Sequence, residues 1–191
     1  MKIGLFFGSF NPIHTGHLVI AEYLAENSDL DQVWLVVSPH NPLKIKSTLL
    51  ANNHRLAMAK LATEESKKLK VSDIEFKMPV PSYTINTVVR LIEKYPKNSF
   101  TLILGADNLE TFNKWKNYEQ LINLCELYVY PRPGYTGGNL KDHPRVKWVN
   151  APQMEISATY IREAIKAGKS VRFMLPEAVY KYISEMNFYR K

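Results

Sequence analysis

Short apolar runs that alternate with helical stretches constrain this chain more than any other feature. Ile3–Phe7, Val33–Val37 and Phe100–Leu104 are nearly unbroken apolar runs, as expected of strands covered on both faces. Leu127–Tyr130 and Val146–Val149 are further strand candidates, and Lys70–Phe76 is a weaker one. Between them lie segments with apolar residues at helical spacing: Leu18, Ala21, Leu24 and Ala25, then Leu56, Ala59, Leu61 and Ala62. Thr84–Tyr95 reads as an amphipathic helix stopped by Pro96, and Asp107 starts a helix through Phe112 and Trp115. Helices over Ser157–Lys166, with Gly168 just past the end, and over Pro176–Met186, with Pro176 at the first helical position, close the chain. This alternation predicts an α/β fold: a doubly wound, mostly parallel sheet with helices on both faces, made by right-handed crossovers. No repeat or linker divides residues 1–191, and Pro133–Gly138 reads as a surface loop, so a single domain is expected. Ligands of such sheets bind outside the carboxyl ends of the strands, which puts the turns after the first, second and fourth strands on one rim.

The first of those turns is unusual. It runs Gly8-Ser-Phe-Asn-Pro-Ile-His-Thr-Gly-His17, with turn formers at Gly8, Ser9, Asn11 and Pro12 and helical text from Gly16. His14 and His17 therefore stand at a helix entrance, where open N–H groups and the helix dipole suit phosphate. Neither Gly-x-x-x-x-Gly-Lys-Ser/Thr nor Gly-x-Gly-x-x-Gly follows the first strand. Two other readings of the pair are a metal site, for which partner ligands are not evident, and simple capping of the helix.

Charge and composition narrow the partners. Lys and Arg outnumber Asp and Glu by 25 to 18, a formal net charge of +7, which suits polyanions. The positive residues are scattered, and the dense cluster Lys67, Lys68 and Lys70 reads as a solvated helix end. Small phosphorylated ligands fit better than nucleic acid. No apolar run approaches the roughly 18 residues of a membrane span, and the first residues do not read as a secretory signal. Cys125 is the one cysteine, between Leu124 and Leu127, so no intrachain disulfide forms. A buried thiol and a reducing cytoplasm are expected.

Five further segments carry chemistry. In Glu155-Ile-Ser-Ala-Thr-Tyr-Ile-Arg162, Ser157 and Thr159 offer hydroxyls at a helix start, and Arg162 one turn in can grip phosphate oxygens. A plain capped helix with a surface Arg is the alternative. In Gly105–Trp115, Gly105 permits close approach at a strand end, and Asp107 either accepts from a ribose hydroxyl or caps its helix. Trp115, between Lys114 and Lys116, reads as partly exposed and available to stack on a flat ring. In Pro81-Ser-Tyr-Thr-Ile-Asn-Thr87, Thr84 opens a helix with Tyr83 beside it as an aromatic wall, or is an ordinary N-cap. Lys44, in the proline-bearing loop after the second strand, can hold a phosphate, with Lys46 as its substitute. Arg132 in Pro131–Gly134 is a further nucleotide contact candidate.

Taken together and in their order along the chain, these segments resemble the HxGH nucleotidylyltransferase superfamily, and within it the bacterial nicotinate-nucleotide adenylyltransferases. The first turn matches the GSFxPxHxGH form, residues 155–162 look like ISSTxIR, residues 105–115 like GxDxxxxxxxW, and residues 82–87 like SYTxxT. Ala158 replaces a hydroxyl residue of the family pattern, and Pro42-Leu-Lys44 stands where the family often has Pro-His-Lys. The resemblance implies a Rossmann-like fold and adenylyl transfer from ATP to nicotinate mononucleotide, giving nicotinate adenine dinucleotide and pyrophosphate. It implies catalytic roles for His14, His17, Lys44 and Arg162. ATP would lie on Gly8, Ser9, Phe10, Gly16, His17, Gly105, Asp107, Ile156, Ser157, Thr159 and Arg162, with helices in 157–187 completing its site. Nicotinate mononucleotide would meet Ser9, Lys44, Tyr83, Thr84, Trp115 and Arg132. Mg²⁺ would be carried by ATP without dedicated protein ligands. The alternatives are transfer to nicotinamide mononucleotide or pantetheine phosphate, cytidylyl transfer, and a sensor that binds nucleotide without turnover. The expected partners are small molecules, not nucleic acid or membrane, and the sequence allows a homo-oligomer.

Overall fold

A computed structural model describes residues 1–39 and 49–190. The expectations for Lys44 and for its substitute Lys46 lie outside the described residues. Six strands form one sheet in the order β3-β2-β1-β4-β5-β6. They are β1 (Lys2–Gly8), β2 (Gln32–Val37), β3 (Leu69–Ser72), β4 (Ser99–Gly105), β5 (Glu126–Tyr130) and β6 (Val146–Trp148). Every pairing is parallel, in register at Phe6↔Leu35 and Phe6↔Ile103 around the central strand.

The period-two alternation of side chains divides the interior into two cores. Phe6, Val33, Leu35, Ile103 and Tyr128 face one side, where they meet α1 (Thr15–Asn27), α2 (Asn52–Thr63), α6 (Ala158–Lys166) and α7 (Glu177–Glu185). Ile3, Leu5, Val36, Leu102 and Leu127 face the other, against α3 (Thr84–Lys94), α4 (Ala106–Glu110) and α5 (Tyr118–Leu124). Because both faces are covered, the strands need no polar face, which explains the unbroken apolar runs.

The strand order reverses between β1 and β4. The chain leaves β1 into α1 on one face and leaves β4 into α4 on the other. A crevice opens at that switch point, outside the carboxyl ends of the two strands. This geometry follows from the order of elements alone.

Several local expectations are corrected. The strand expected over Lys70–Phe76 ends at Ser72 and passes into a 3₁₀ turn, Ile74–Lys77, which buries Glu75. The single helix expected from Asp107 through Trp115 is two short pieces, α4 and a 3₁₀ turn at Phe112–Lys114. α5 was not anticipated; its apolar positions Leu121 and Ile122 fall within a polar stretch. Lys67 and Lys68 lie beyond the end of α2 and Lys70 lies within β3, so they do not complement that helix's dipole. Pro176 sits at the N-cap of α7, one residue outside the first turn. Cys125 is buried, and burial pushes its thiol up to about 12.

Candidate active site

The turn after β1 is rigid and largely buried. Phe10 adopts φ +44°, a left-handed conformation that costs a bulky residue roughly 1–2 kcal/mol. Burial of its ring offsets that cost: Phe10 is 1% exposed, edge-on to Phe6 at 6.2 Å and to His17 at 5.1 Å. Its ring thus supports His17 from inside. The Asn11–Pro12 peptide is cis.

His14 is the N-cap of α1, with extended backbone, and its N–H donates to Nδ1 of His17 at 3.2 Å. The two rings stack with centroids 3.7 Å apart at 29°. An Nδ1 that accepts a hydrogen bond carries no proton, so the proton of a neutral His17 ring resides on Nε2, where it is a donor. Burial, with the Arg132 charge adding to it, pushes His14 down to about 4. His14 is therefore neutral near pH 7, and its Nδ1 is buried without a hydrogen-bond partner among the described residues. A cationic His14 stacked on His17 would be opposed by both burial and Arg132. Capping thus falls to the backbone of His14, and the two rings lie stacked at the helix start.

α6 begins beside α1. A Cβ added to Gly16 would crowd His14 Nδ1 at 3.1 Å and meet Ile156 Cβ at an ordinary 3.8 Å, so this glycine leaves room for the His14 ring while Ile156 packs beside it. Ser157 is the N-cap of α6 and accepts from Tyr160 N at 3.1 Å. Its hydroxyl proton remains to be donated. Arg162 donates from Nη1 to Asn11 O at 2.8 Å and from Nη2 to Thr159 Oγ1 at 3.2 Å. One guanidinium therefore ties the C-terminal helix to the turn after β1. Ala158, at the first helical position, contributes only its N–H there.

Across the crevice, Gly105 is the N-cap of α4, and Asp107 makes no side-chain cap. The capping reading of Asp107 is overturned. Its Oδ1 is buried without a hydrogen-bond partner among the described residues and stands 3.7 Å from Arg132 Nε. A Cβ on Gly105 would strike Asp107 Oδ1 and lie 3.1 Å from Arg132 Nε. The Asp107 and Arg132 side chains thus crowd this strand end, and only a residue without a Cβ fits between them. Arg132 also donates to Tyr130 OH at 3.3 Å. Arg132 thus stands at the carboxyl end of β4, beside Gly105 and Asp107.

A third helix start faces the same rim. Tyr83, not Thr84, is the N-cap of α3, so Thr84 is the first helical residue and its N–H lies among the unpaired donors. Glu75 fixes this start: its carboxylate accepts from Ser82 Oγ at 2.9 Å and from Thr87 Oγ1 at 2.7 Å. Lys116 Nζ lies 4.5 Å from the Tyr83 ring centroid, which brings the Trp115–Lys116 segment to this helix start. Trp115 is half-buried and tilted on Phe112 at 5.0 Å, with part of its surface open as expected.

The framework beneath the site was not foreseen. Arg55 on α2 is fully buried and donates to Ser9 O, Ser38 O, Pro39 O, Leu50 O and Asn52 Oδ1, at 2.5–3.0 Å. It clamps the turn after β1 to the end of β2 with no acidic partner among the described residues, and burial pushes it down to about 10. A signal was present: Arg55 shares the helical face of Met58 and Ala59, where an apolar residue belongs. Asn11 accepts at Oδ1 from Leu50 N at 3.2 Å and from Tyr189 OH at 2.8 Å. No sequence pattern joins residues so distant.

Comparison with known proteins agrees with this geometry. Residues 5–164 match the family described as cytidylyltransferase-like. A relative from Flavobacterium johnsoniae, named "Probable nicotinate-nucleotide adenylyltransferase", is 55% identical, covering 100% of both chains. One of the same name from Christiangramia forsetii is 56% identical over 99% of this chain and 98% of its own. Among solved structures, the Plasmodium falciparum nicotinic acid mononucleotide adenylyltransferase complexed with NaAD superposes with a TM-score of 0.84. It is 20% identical, over 99% of this chain and 97% of its own, and so speaks for the fold.

Proposed function

The chain belongs to the cytidylyltransferase-like family and, within it, to the nicotinate-nucleotide adenylyltransferases, and we propose that it joins ATP to nicotinate mononucleotide, forming the dinucleotide and releasing pyrophosphate. The observation that carries this reading is the stacked histidine pair at the switch point, with Arg162 tied to the same turn.

The attacking group is a phosphate monoester with a second pKa of about 6, already largely a dianion at neutral pH. No side chain has to remove a proton, and catalysis reduces to alignment of two phosphates and stabilisation of the developing charge. In this reading His17 donates from Nε2 to the α-phosphate as negative charge builds on its oxygens. His14, kept neutral, serves the neighbouring triphosphate oxygens without setting a second full charge against Arg132. Ser157, Thr159 and Arg162 hold the β- and γ-phosphates, so the C-terminal helices complete the ATP site. Asp107, with its unpartnered Oδ1, accepts from a ribose hydroxyl. Gly8, Ser9, Gly16 and Ile156 line the nucleotide path. Lys44 holds the mononucleotide phosphate.

The pyridine ring lies between Tyr83 and Trp115, and its carboxylate meets the open N–H groups of α3, which favour an anion. Mg²⁺ would accompany ATP, since it commonly keeps waters and phosphate ligands rather than an all-protein cage. The rim offers imidazole, guanidinium and N–H donors, groups that bind phosphate oxygens. When bound, the ion screens triphosphate charge; the protein groups do the positioning.

The test is product identity. Incubation with ATP, Mg²⁺ and nicotinate mononucleotide should yield one pyrophosphate per dinucleotide formed. Pyrophosphate release only with pantetheine phosphate would overturn the acceptor, and nucleotide binding without pyrophosphate release would favour the sensor.

A further inference from the structure

The last residues of the chain reach back to the turn after β1. Two non-glycine residues near the C-terminus, Asn187 (φ +54°) and Tyr189 (φ +64°), adopt left-handed conformations, which disfavour side chains. Their effect is to fold the chain end beneath the phosphate turn. There Tyr189 OH donates to Asn11 Oδ1 at 2.8 Å, across most of the length of the sequence. The backbone carbonyl of the same Asn11 receives Arg162 Nη1 at 2.8 Å, and its Oδ1 also accepts from Leu50 N.

The surroundings of this hydroxyl are unusual for a chain terminus. Burial pushes Tyr189 up, while the Arg162 and Arg55 charges act against that rise, so the phenol lies within reach of both guanidinium groups. Phe188 packs edge-on to His54 at 4.7 Å, and His54 Nδ1 is 2.9 Å from Tyr182 OH, which seats the terminal turn on α2 and α7. A strained backbone and an aromatic seat thus hold the terminal turn where Tyr189 reaches Asn11. A surface tail that merely ends the fold needs none of them.

We propose that Tyr189 is a positioning residue for the nucleotide site: its hydroxyl fixes Asn11, and Asn11 in turn fixes Arg162 and the turn bearing His14 and His17. The inference rests on the reading of that crevice as the ATP site. Tyr189 touches no reacting atom. It acts on where the triphosphate donors stand, and so on ATP rather than on the second substrate, whose proposed contacts at Tyr83 and Trp115 lie on the opposite core.

The test compares wild type, Tyr189→Phe and a chain ending at Met186. Tyr189→Phe removes one oxygen and keeps the ring, so its melting temperature should match wild type. Its KM for ATP should rise about three- to tenfold, the effect of one lost hydrogen bond, with KM for nicotinate mononucleotide unchanged. The shortened chain should show the same split, enlarged. Calorimetric titration with a non-hydrolysable ATP analogue gives a second readout, independent of turnover, and should show the same weakening. An unchanged ATP KM and analogue affinity in Tyr189→Phe overturns the proposal, whatever the shortened chain does. Equal rises in both KM values with a lowered melting temperature also overturn it, since they mark a purely structural role. Failure of wild type to form dinucleotide would defeat the functional reading, while the analogue titration would still decide the role of Tyr189.

Discussion

Replacing Arg55 with Met should destabilise the protein far more than an average core substitution. Arg55 is fully buried and its five donor contacts satisfy four backbone carbonyls and one side-chain amide oxygen. Met has similar length but no donor. Each buried acceptor left unsatisfied costs about 1–3 kcal/mol, so five give a gross loss of roughly 5–15 kcal/mol. Against this stands the penalty for keeping a guanidinium out of water, several kcal/mol, which Met does not incur. The depressed value of about 10 for Arg55 is the mark of that penalty. Water reaching some of the carbonyls reduces the loss further, and a net destabilisation of about 3–5 kcal/mol is expected. For a chain of 191 residues that corresponds to a fall in Tm of roughly 6–20 °C. Arg55→Lys keeps the charge with fewer donors and should fall between. Urea unfolding of the three proteins at pH 7.5 measures the difference. A loss below about 1 kcal/mol in the Met variant would refute the claim that this cation clamps the turns after β1 and β2.

Other expectations concern the site itself. His17→Ala should lower kcat about 10²- to 10³-fold, the scale for one lost donor to developing charge, with the melting temperature preserved; survival of activity within a few-fold would remove His17 from that role. His14 has a folded pKa near 4, below the usual 6.5, so the unfolded chain binds the extra proton more readily. Stability should therefore be full above pH 6.5 and fall as the pH drops towards 4, by up to about 3 kcal/mol from this group. His14→Gln should flatten that part of the profile in urea titrations from pH 4 to 7, and an unchanged slope would contradict the burial argument. Glu75→Gln should weaken the hold on Ser82 and Thr87 and reduce discrimination between acid and amide forms of the pyridine by about three- to tenfold. Equal discrimination in the variant would show that the start of α3 needs no such support.

Much of the fold is legible because its cause is local. Unbroken apolar strands and amphipathic helices carry their own periodicity, and a parallel sheet follows from their alternation. Boundaries failed where tertiary packing overrode the pattern. Ile74 and Phe76 look like a continuing strand, but the chain turns there to bury Glu75 under Ser82 and Thr87. Asp107 looks like a cap, yet its Oδ1 points toward Arg132. The histidine turn and the Ser157–Arg162 segment were legible as motifs because their chemistry is contiguous. Arg55, Asn11 and Tyr189 were not, since their roles exist only once distant segments meet. Arg132 was undervalued for the same reason: its bearing on His14 depends on β1 and β5 flanking β4 in the sheet.

The most direct test of the account is the rate of pyrophosphate release with ATP and Mg²⁺, comparing nicotinate and nicotinamide mononucleotides side by side. The account predicts at least a tenfold preference in kcat/KM for the nicotinate form, equivalent to about 1.4 kcal/mol of carboxylate recognition at the start of α3. Equal rates, or a preference for the amide, would contradict it.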